Sequence, residues 1–115
     1  MLERIKKGKT LHAVTIHAGV VYLAGIGAND ISLDMEGQTM QICEKIDGLL
    51  AQAGSDKTKL IRAQIFVTDM SKKPDMDRAW LNWLNEDDLP CRATIGVADL
   101  GDPQRLIEVV VTAVQ

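Results

Sequence analysis

The sequence predicts one α+β domain over residues 1–115, with the order β-β-α-β-α-β-β and two helices on one face of a mixed sheet. Three observations predict it. Apolar, β-branched runs of strand length recur at 11–17, 20–26, 60–68, 91–98 and 105–114. Between them the apolar period changes to three- and four-residue steps twice, from Asp34 to Gly54 and from Ser71 to Leu84. No internal repeat, linker or low-complexity tract divides the chain, and 115 residues leave room for a single core.

The first two runs flank Ala18-Gly19, which reads as a hairpin, and the second ends in the turn Gly25-Ile26-Gly27-Ala28-Asn29-Asp30. Asp34 is placed to cap a helix whose apolar stripe is Met35, Thr39, Ile42, Cys43, Ile46, Leu49, Leu50 and Ala53, with Gly54 as its stop. Gly37 and Gly48 lower helix propensity within it and mark candidate sites of close packing. Over 60–68, Ile61, Ala63, Ile65 and Val67 share one face; Leu60, Arg62, Gln64, Phe66 and Thr68 share the other. The second helix takes Ser71 as cap and Pro74 in its first turn, with Met76, Ala79, Trp80, Trp83 and Leu84 as its stripe. Asn85-Glu86-Asp87-Asp88 forms a polar loop closed by Pro90, and Leu100-Gly101-Asp102-Pro103 joins the last two strands. Two helices cover one sheet face, so the other face needs a partner. This predicts self-assembly.

Composition narrows the function. At 46% apolar and 25% charged residues, the chain is of ordinary globular type, and no apolar run approaches the length of a membrane span. A net charge of −3 and a stock of two Trp, one Tyr and one Phe argue against a nucleic-acid coat or a base-stacking platform. Met1-Leu2-Glu3-Arg4-Ile5-Lys6-Lys7 has no following apolar segment of the secretory kind, and Cys43 and Cys91 form no disulfide or zinc pattern, so a cytoplasmic setting is expected.

Most chemical signals reduce to structure. Gly25-Ile26-Gly27 lacks the third glycine of a phosphate-binding fingerprint and reads as a plain turn. His12 and His17, five apart on a strand, point to opposite faces and form no chelating pair. Cys43 is a core residue; Cys91 has no histidine partner to make it a nucleophile. Glu86, Asp87 and Asp88 read as a solvated loop, and Arg4, Lys6, Lys7 and Lys9 as a solvated strand edge. Two residues stand apart. Arg92 opens an apolar strand, and Glu108 sits inside Leu106-Ile107-Glu108-Val109-Val110-Val111. They are either a structural ion pair or an exposed edge, or a cleft with one fixed cation and one acid–base carboxylate.

Four segments, in order, resemble the YjgF/RidA family, also called L-PSP endoribonuclease-like. They are Val21-Tyr22-Leu23-Ala24-Gly25, Leu49-Leu50-Ala51-Gln52-Ala53-Gly54, Ile65-Phe66-Val67-Thr68-Asp69-Met70 and Pro90-Cys91-Arg92-Ala93-Thr94, completed by Ile107-Glu108-Val109. The likeness covers nearly the whole chain and is greatest to short, YoaB-like members. It implies a chorismate-mutase-like homotrimer with ligand clefts between subunits, hydrolysing reactive 2-imino or enamine acids to ammonia and a 2-keto acid, with no cofactor and no metal. It further implies Arg92 and Glu108 as the catalytic pair, Arg92 holding the substrate carboxylate and Glu108 orienting water. Thr94, Ala24, Gly25, Leu11 and His12 would line the substrate site. Leu11, Ala24, Ile26 and Thr94 stand where deaminase members commonly have tyrosine, serine, glutamine and cysteine. The alternatives are a non-catalytic trimeric protein that binds a small carboxylate or regulates through it, and, less favoured, an endoribonuclease. Arg92 and Glu108 are expected to converge within one cleft if their strands are antiparallel neighbours, with Cys91 on the face away from Arg92 and Thr94.

Overall fold

Alternating burial along the strands decides the architecture of the computed structural model, which describes residues 1–115. The strands are β1 (Glu3–Lys7), β2 (His12–His17), β3 (Val20–Leu23), β4 (Ile26–Gly27), β5 (Leu60–Val67), β6 (Cys91–Gly96) and β7 (Ile107–Val114). The helices are α1 (Met35–Gln52) and α2 (Lys73–Trp83). The sheet runs β1-β2-β3-β7-β5-β6, and β4 pairs with β7 beyond the end of β3. Only β5 and β6 are parallel, because the α2 crossover between them carries the chain back to the same end.

On β7, Ile107, Val109, Val111 and Ala113 are buried, whereas Glu108, Val110 and Thr112 are only half-buried. The buried set meets Met35, Ile42, Ile46 and Leu50 of α1, and Met76 and Trp80 of α2 join the same core. Both helices therefore lie on one face, as the sequence predicts. The opposite face carries Tyr22, Thr112, Val110, Glu108, Arg62, Gln64, Phe66, Cys91, Ala93 and Ile95, and no element of the chain covers it.

Local signals explain the ends. Asp34 caps α1 by accepting from the Gly37 amide at 2.8 Å, and Gly54 stops it in the left-handed region at φ +76°. Ala18 and Gly19 both have positive φ, as a tight hairpin requires. Several expectations are corrected. The basic segment at the N-terminus is an edge strand, β1, as its reading as a solvated strand edge has it, but the predicted element order lacks this strand, because an edge strand need bury little. The run 20–26 splits at Ala24-Gly25, since pairing with β7 advances by one residue between Tyr22↔Thr112 and Ile26↔Val109. A register shift between Leu60 and Arg62 likewise turns Leu60 into the core and leaves Ile61 exposed, reversing their predicted faces. The last two strands are shorter than the predicted runs at 91–98 and 105–114, ending at Gly96 and starting at Ile107. Ser71 does not cap α2. Asp69 caps a short 3-10 turn by accepting from the Ser71 amide, and α2 starts after it. Gly37 packs closely against Leu33, whereas Gly48 faces open space and marks no close approach.

One polar residue on the buried face of α1 escaped the apolar stripe. Gln38 is fully buried, and its amide nitrogen lies 2.9–3.1 Å from the carbonyls of Ile31, Leu33 and Gln104, while its oxygen accepts from the Leu106 amide at 3.0 Å. It fastens the loop before α1 to the loop before β7. Gln38→Met preserves volume but leaves those backbone groups unpaired, at about 1–3 kcal/mol for a buried group that loses its partner. Urea unfolding should show a loss of roughly 2–4 kcal/mol with an unchanged slope; a loss of a few tenths would mean that water replaces the amide.

Candidate functional site

The break between β3 and β4 builds the most polar recess of the molecule. The extra residue at Ala24-Gly25 lets the strand bend where Glu108 of β7 comes up beside it. A Cβ on Gly25 would lie 2.6 Å from Glu108 Oε2 and 2.9 Å from its Cδ. A Cβ on Gly27 would lie 2.1 Å from Arg105 Nη1. The two glycines are thus spaces left for charged side chains, a role that their reading as a plain turn missed.

Gly25, Gly27, Ala28, Asn29, Lys45, Arg105 and Glu108 line a cavity of about 420 Å³. Lys45 reaches it from α1, donating to Gly27 O at 2.7 Å and Asn29 Oδ1 at 3.0 Å. Arg105 reaches it from the loop before β7, donating to Ala28 O at 3.2 Å. None of the ion pairs in the structure involves Lys45, Arg105 or Glu108. Burial, and then the neighbouring Arg105 charge, hold the Lys45 amine below its ordinary pKa. Neither cation was legible as a site residue. Lys45 sits on a helix among other charges and Arg105 in a turn, and only the fold brings them to Glu108.

Arg92 lies elsewhere. Cα pairing sets Arg92 and Thr94 beside Ala63 and Ile65, whose side chains face the helices, whereas Glu108 pairs with Phe66 on the bare face. β5 also stands between β6 and β7. The expected convergence through antiparallel neighbours is therefore corrected: within one chain Arg92 and Glu108 are on opposite faces and share no cleft. Arg92 Nη2 instead donates to Asp77 Oδ1 of α2 at 2.7 Å, and its guanidinium lies 5.9 Å from the centre of the Trp80 ring. Asp77, Trp80, Leu81, Leu89, Pro90 and Arg92 line a recess of about 330 Å³. Burial raises the Asp77 pKa, but hydrogen bonds and charge from Lys73 and Arg92 outweigh it, so the carboxyl ends below its ordinary value.

The remaining predicted residues divide between the two places. Gly25 lines the Glu108 cavity; Ala24, the residue before it, does not, and its amide donates to Ala13 O at 2.9 Å, which brings His12, half-buried at the start of β2, level with Gly25. Leu11 is exposed beside it. Thr94 is half-buried on the Arg92 face. Cys91 is exposed on the opposite face from both, as alternation predicts, with its thiol donating to Ile61 O at 3.1 Å. Cys43 is buried and its thiol pKa is pushed up to about 12, chiefly by burial, as befits a core residue.

The family model for endoribonuclease L-PSP matches residues 3–115. The chain belongs to this family. A RutC family protein of Haemophilus ducreyi is 34% identical over 113 residues, covering 98% of this chain and 96% of its own. The RutC family protein YoaB of Escherichia coli is 31% identical over 100 residues, covering 87% and 86%. The crystal structure of NMB1025, a YjgF family member from Neisseria meningitidis, superposes with a TM-score of 0.95 at 25% identity, covering 100% of this chain and 95% of that one. The family resemblance drawn from five short segments thus holds over essentially the whole sequence. No helix of this family member is long and apolar enough to cross a membrane.

The Asp77–Arg92 pair makes a pH prediction. A carboxyl with a depressed folded pKa adds stability above its unfolded value, and that stability is lost as pH falls through the folded value. Asp77→Asn should therefore be less stable than the parent at neutral pH, with the gap closing as pH drops below 3.8. Urea midpoints of both proteins across that range check this; a gap independent of pH would mean that packing, not charge, sets it.

Proposed function

We propose that this protein hydrolyses small 2-imino or enamine acids to ammonia and a 2-keto acid, in clefts between the subunits of a homotrimer. The observation that carries the reading is the Glu108 carboxylate, free of ion pairs and held in a polar cavity by the absence of a side chain on Gly25. The opposed facing of Arg92 and Glu108 within one chain supports a site shared by two chains, in which Arg92, on the edge strand β6 of one subunit, meets Glu108 of the next. The bare sheet face with Phe66, Ile95 and Tyr22 supports such an assembly, because exposed apolar surface gains by burial.

The guanidinium of Arg92, released from Asp77, grips the substrate carboxylate through paired N–H donors. Glu108 accepts a proton from water as its oxygen adds to the C=N carbon, forming a carbinolamine. That first proton completes the carbinolamine amine; Glu108 then takes the hydroxyl proton and delivers it to the same nitrogen, the C–N bond breaks as C=O forms, and ammonia leaves with the 2-keto acid behind. Water and imine are consumed and no electrons are exchanged, so the step requires no cofactor. Ala24, Gly25, Leu11 and His12 of the Glu108 chain and Thr94 of the Arg92 chain shape the pocket. A second reading, a trimer that binds a small carboxylate without turnover, is favoured by Thr94, which offers no thiol, and by the existing Asp77 partner of Arg92. RNA cleavage, the activity in the family's name, is the least favoured, because a net charge of −3 provides no phosphate-tracking surface.

Glu108→Gln should lower ammonia release from a 2-imino acid by roughly 10²-fold while keeping 2-keto acid binding, and Arg92→Ala should weaken that binding by about tenfold or more. Because the two groups come from different chains, mixing the two inactive variants through denaturation and refolding should restore roughly a quarter of the sites. No recovery, with a trimeric mass by light scattering, would exclude a site shared between chains. Full binding but no ammonia release by the parent would favour the binding protein. Phe66→Asp should reduce the mass to monomer, and a stable trimer would exclude the bare face as the interface.

A further inference from the structure

The cavity holding Glu108 contains two cations that the proposed hydrolysis does not use. Lys45 and Arg105 come from different elements, α1 and the loop before β7, yet line the same recess, with no carboxylate paired to either. Their visible partners are neutral oxygens: Gly27 O and Asn29 Oδ1 for Lys45, Ala28 O for Arg105. Arg105 thereby spends one of five N–H donors and Lys45 two of three, so both retain donors for an anion. Gly27 secures the position of Arg105, since a Cβ there would occupy the place of Nη1. Two like charges brought together repel each other; burial first, and the Arg105 charge after it, hold the Lys45 amine below its ordinary pKa. An anion between them relieves the repulsion.

We propose that Lys45 and Arg105 form an anion subsite beside Glu108, so that the preferred ligand is a dicarboxylic 2-imino or 2-keto acid. This inference rests on the proposed cleft, in which Arg92 of a neighbouring chain takes the carboxylate next to the reacting carbon. Lys45 and Arg105 then take the second, distal carboxylate. Charge selects a carboxylate over a phosphate. Two cations and the Glu108 carboxylate leave one net positive charge in the cavity, which matches a group of charge −1, while a phosphate near −2 overshoots it. The cavity volume of about 420 Å³ admits a short-chain diacid. Lys45 and Arg105 are thus specificity residues, not catalytic ones.

Calorimetric titration of the assembled protein with 2-oxobutyrate and with 2-oxoglutarate tests the subsite. The parent should bind the diacid at least about tenfold more tightly, as one charge-assisted contact of about 1.4 kcal/mol or more requires. Arg105→Gln and Lys45→Met should each remove most of that preference and leave 2-oxobutyrate affinity within about twofold. Arg92→Ala should weaken both ligands alike. Equal affinities in the parent, or a preference that survives both cavity substitutions, overturns the subsite while leaving the hydrolase reading intact. Loss of 2-oxobutyrate binding in both cavity variants, with folding preserved by circular dichroism, would make the pair a general anchor and also overturn it. No binding of either acid by the parent, or binding indifferent to Arg92→Ala, overturns the cleft on which the subsite depends.

Discussion

The pairing of β5 with β7 through the middle of the sheet, from Leu60↔Ala113 to Val67↔Ile107, is the constraint on which the rest of the molecule depends. It fixes which residues of both strands meet the helices, so that Ile65 and Val109 are buried together while Phe66 and Glu108 stand together on the bare face. It also pushes β6 to the edge, one strand away from β7. Because side chains alternate strictly along a strand, this register leaves Arg92 facing α2 and Glu108 facing away from it. A cleft that uses both groups has to be assembled from more than one chain. The separation of Arg92 from Glu108 within the chain is therefore a consequence of strand order.

The irregularities of the sheet serve the same end. The one-residue advance between β3 and β4 opens the recess beside Glu108, and glycine at positions 25 and 27 keeps it open. The second register shift, after Leu60, adjusts the end of β5 so that Leu60 completes the core under α1. Gln38 then ties the loop before α1 to the loop before β7, the loop that carries Arg105. The walls of the Glu108 cavity are held by backbone hydrogen bonds and by a buried amide. That arrangement keeps charged side chains in place without neutralising them.

The two recesses differ in a way that bears on chemistry. Around Arg92 the charges are directly paired: Asp77 accepts from both Lys73 and Arg92 at 2.7 Å, and Trp80 lies alongside. Around Glu108 they are not, since two cations and one carboxylate share a cavity without a single ion pair. A paired cation has to exchange its partner when a ligand arrives, whereas unpaired cations attract one directly.

Periodicity by itself determined the fold class, the helix limits at Asp34 and Gly54, the single helix-covered face and the hairpin at Ala18-Gly19, because each rests on local backbone preference and on one buried face. Composition and five short segments determined the family, and the oddness of Arg92 and Glu108 in apolar strands was plain. The charges of β1 read as a strand edge, but its place as a first strand of the sheet was absent from the element order, since an edge needs few apolar residues; the exchange of Leu60 and Ile61, which one inserted residue reverses, was not legible. Only the tertiary structure decided that Arg92 and Glu108 stand on opposite faces, and that Lys45, 60 positions from Arg105 in the numbering, shares a cavity with it. The physical reason is that strand order and register are set by the packing of the whole sheet. No local stretch of sequence encodes which strand will come to lie between two others.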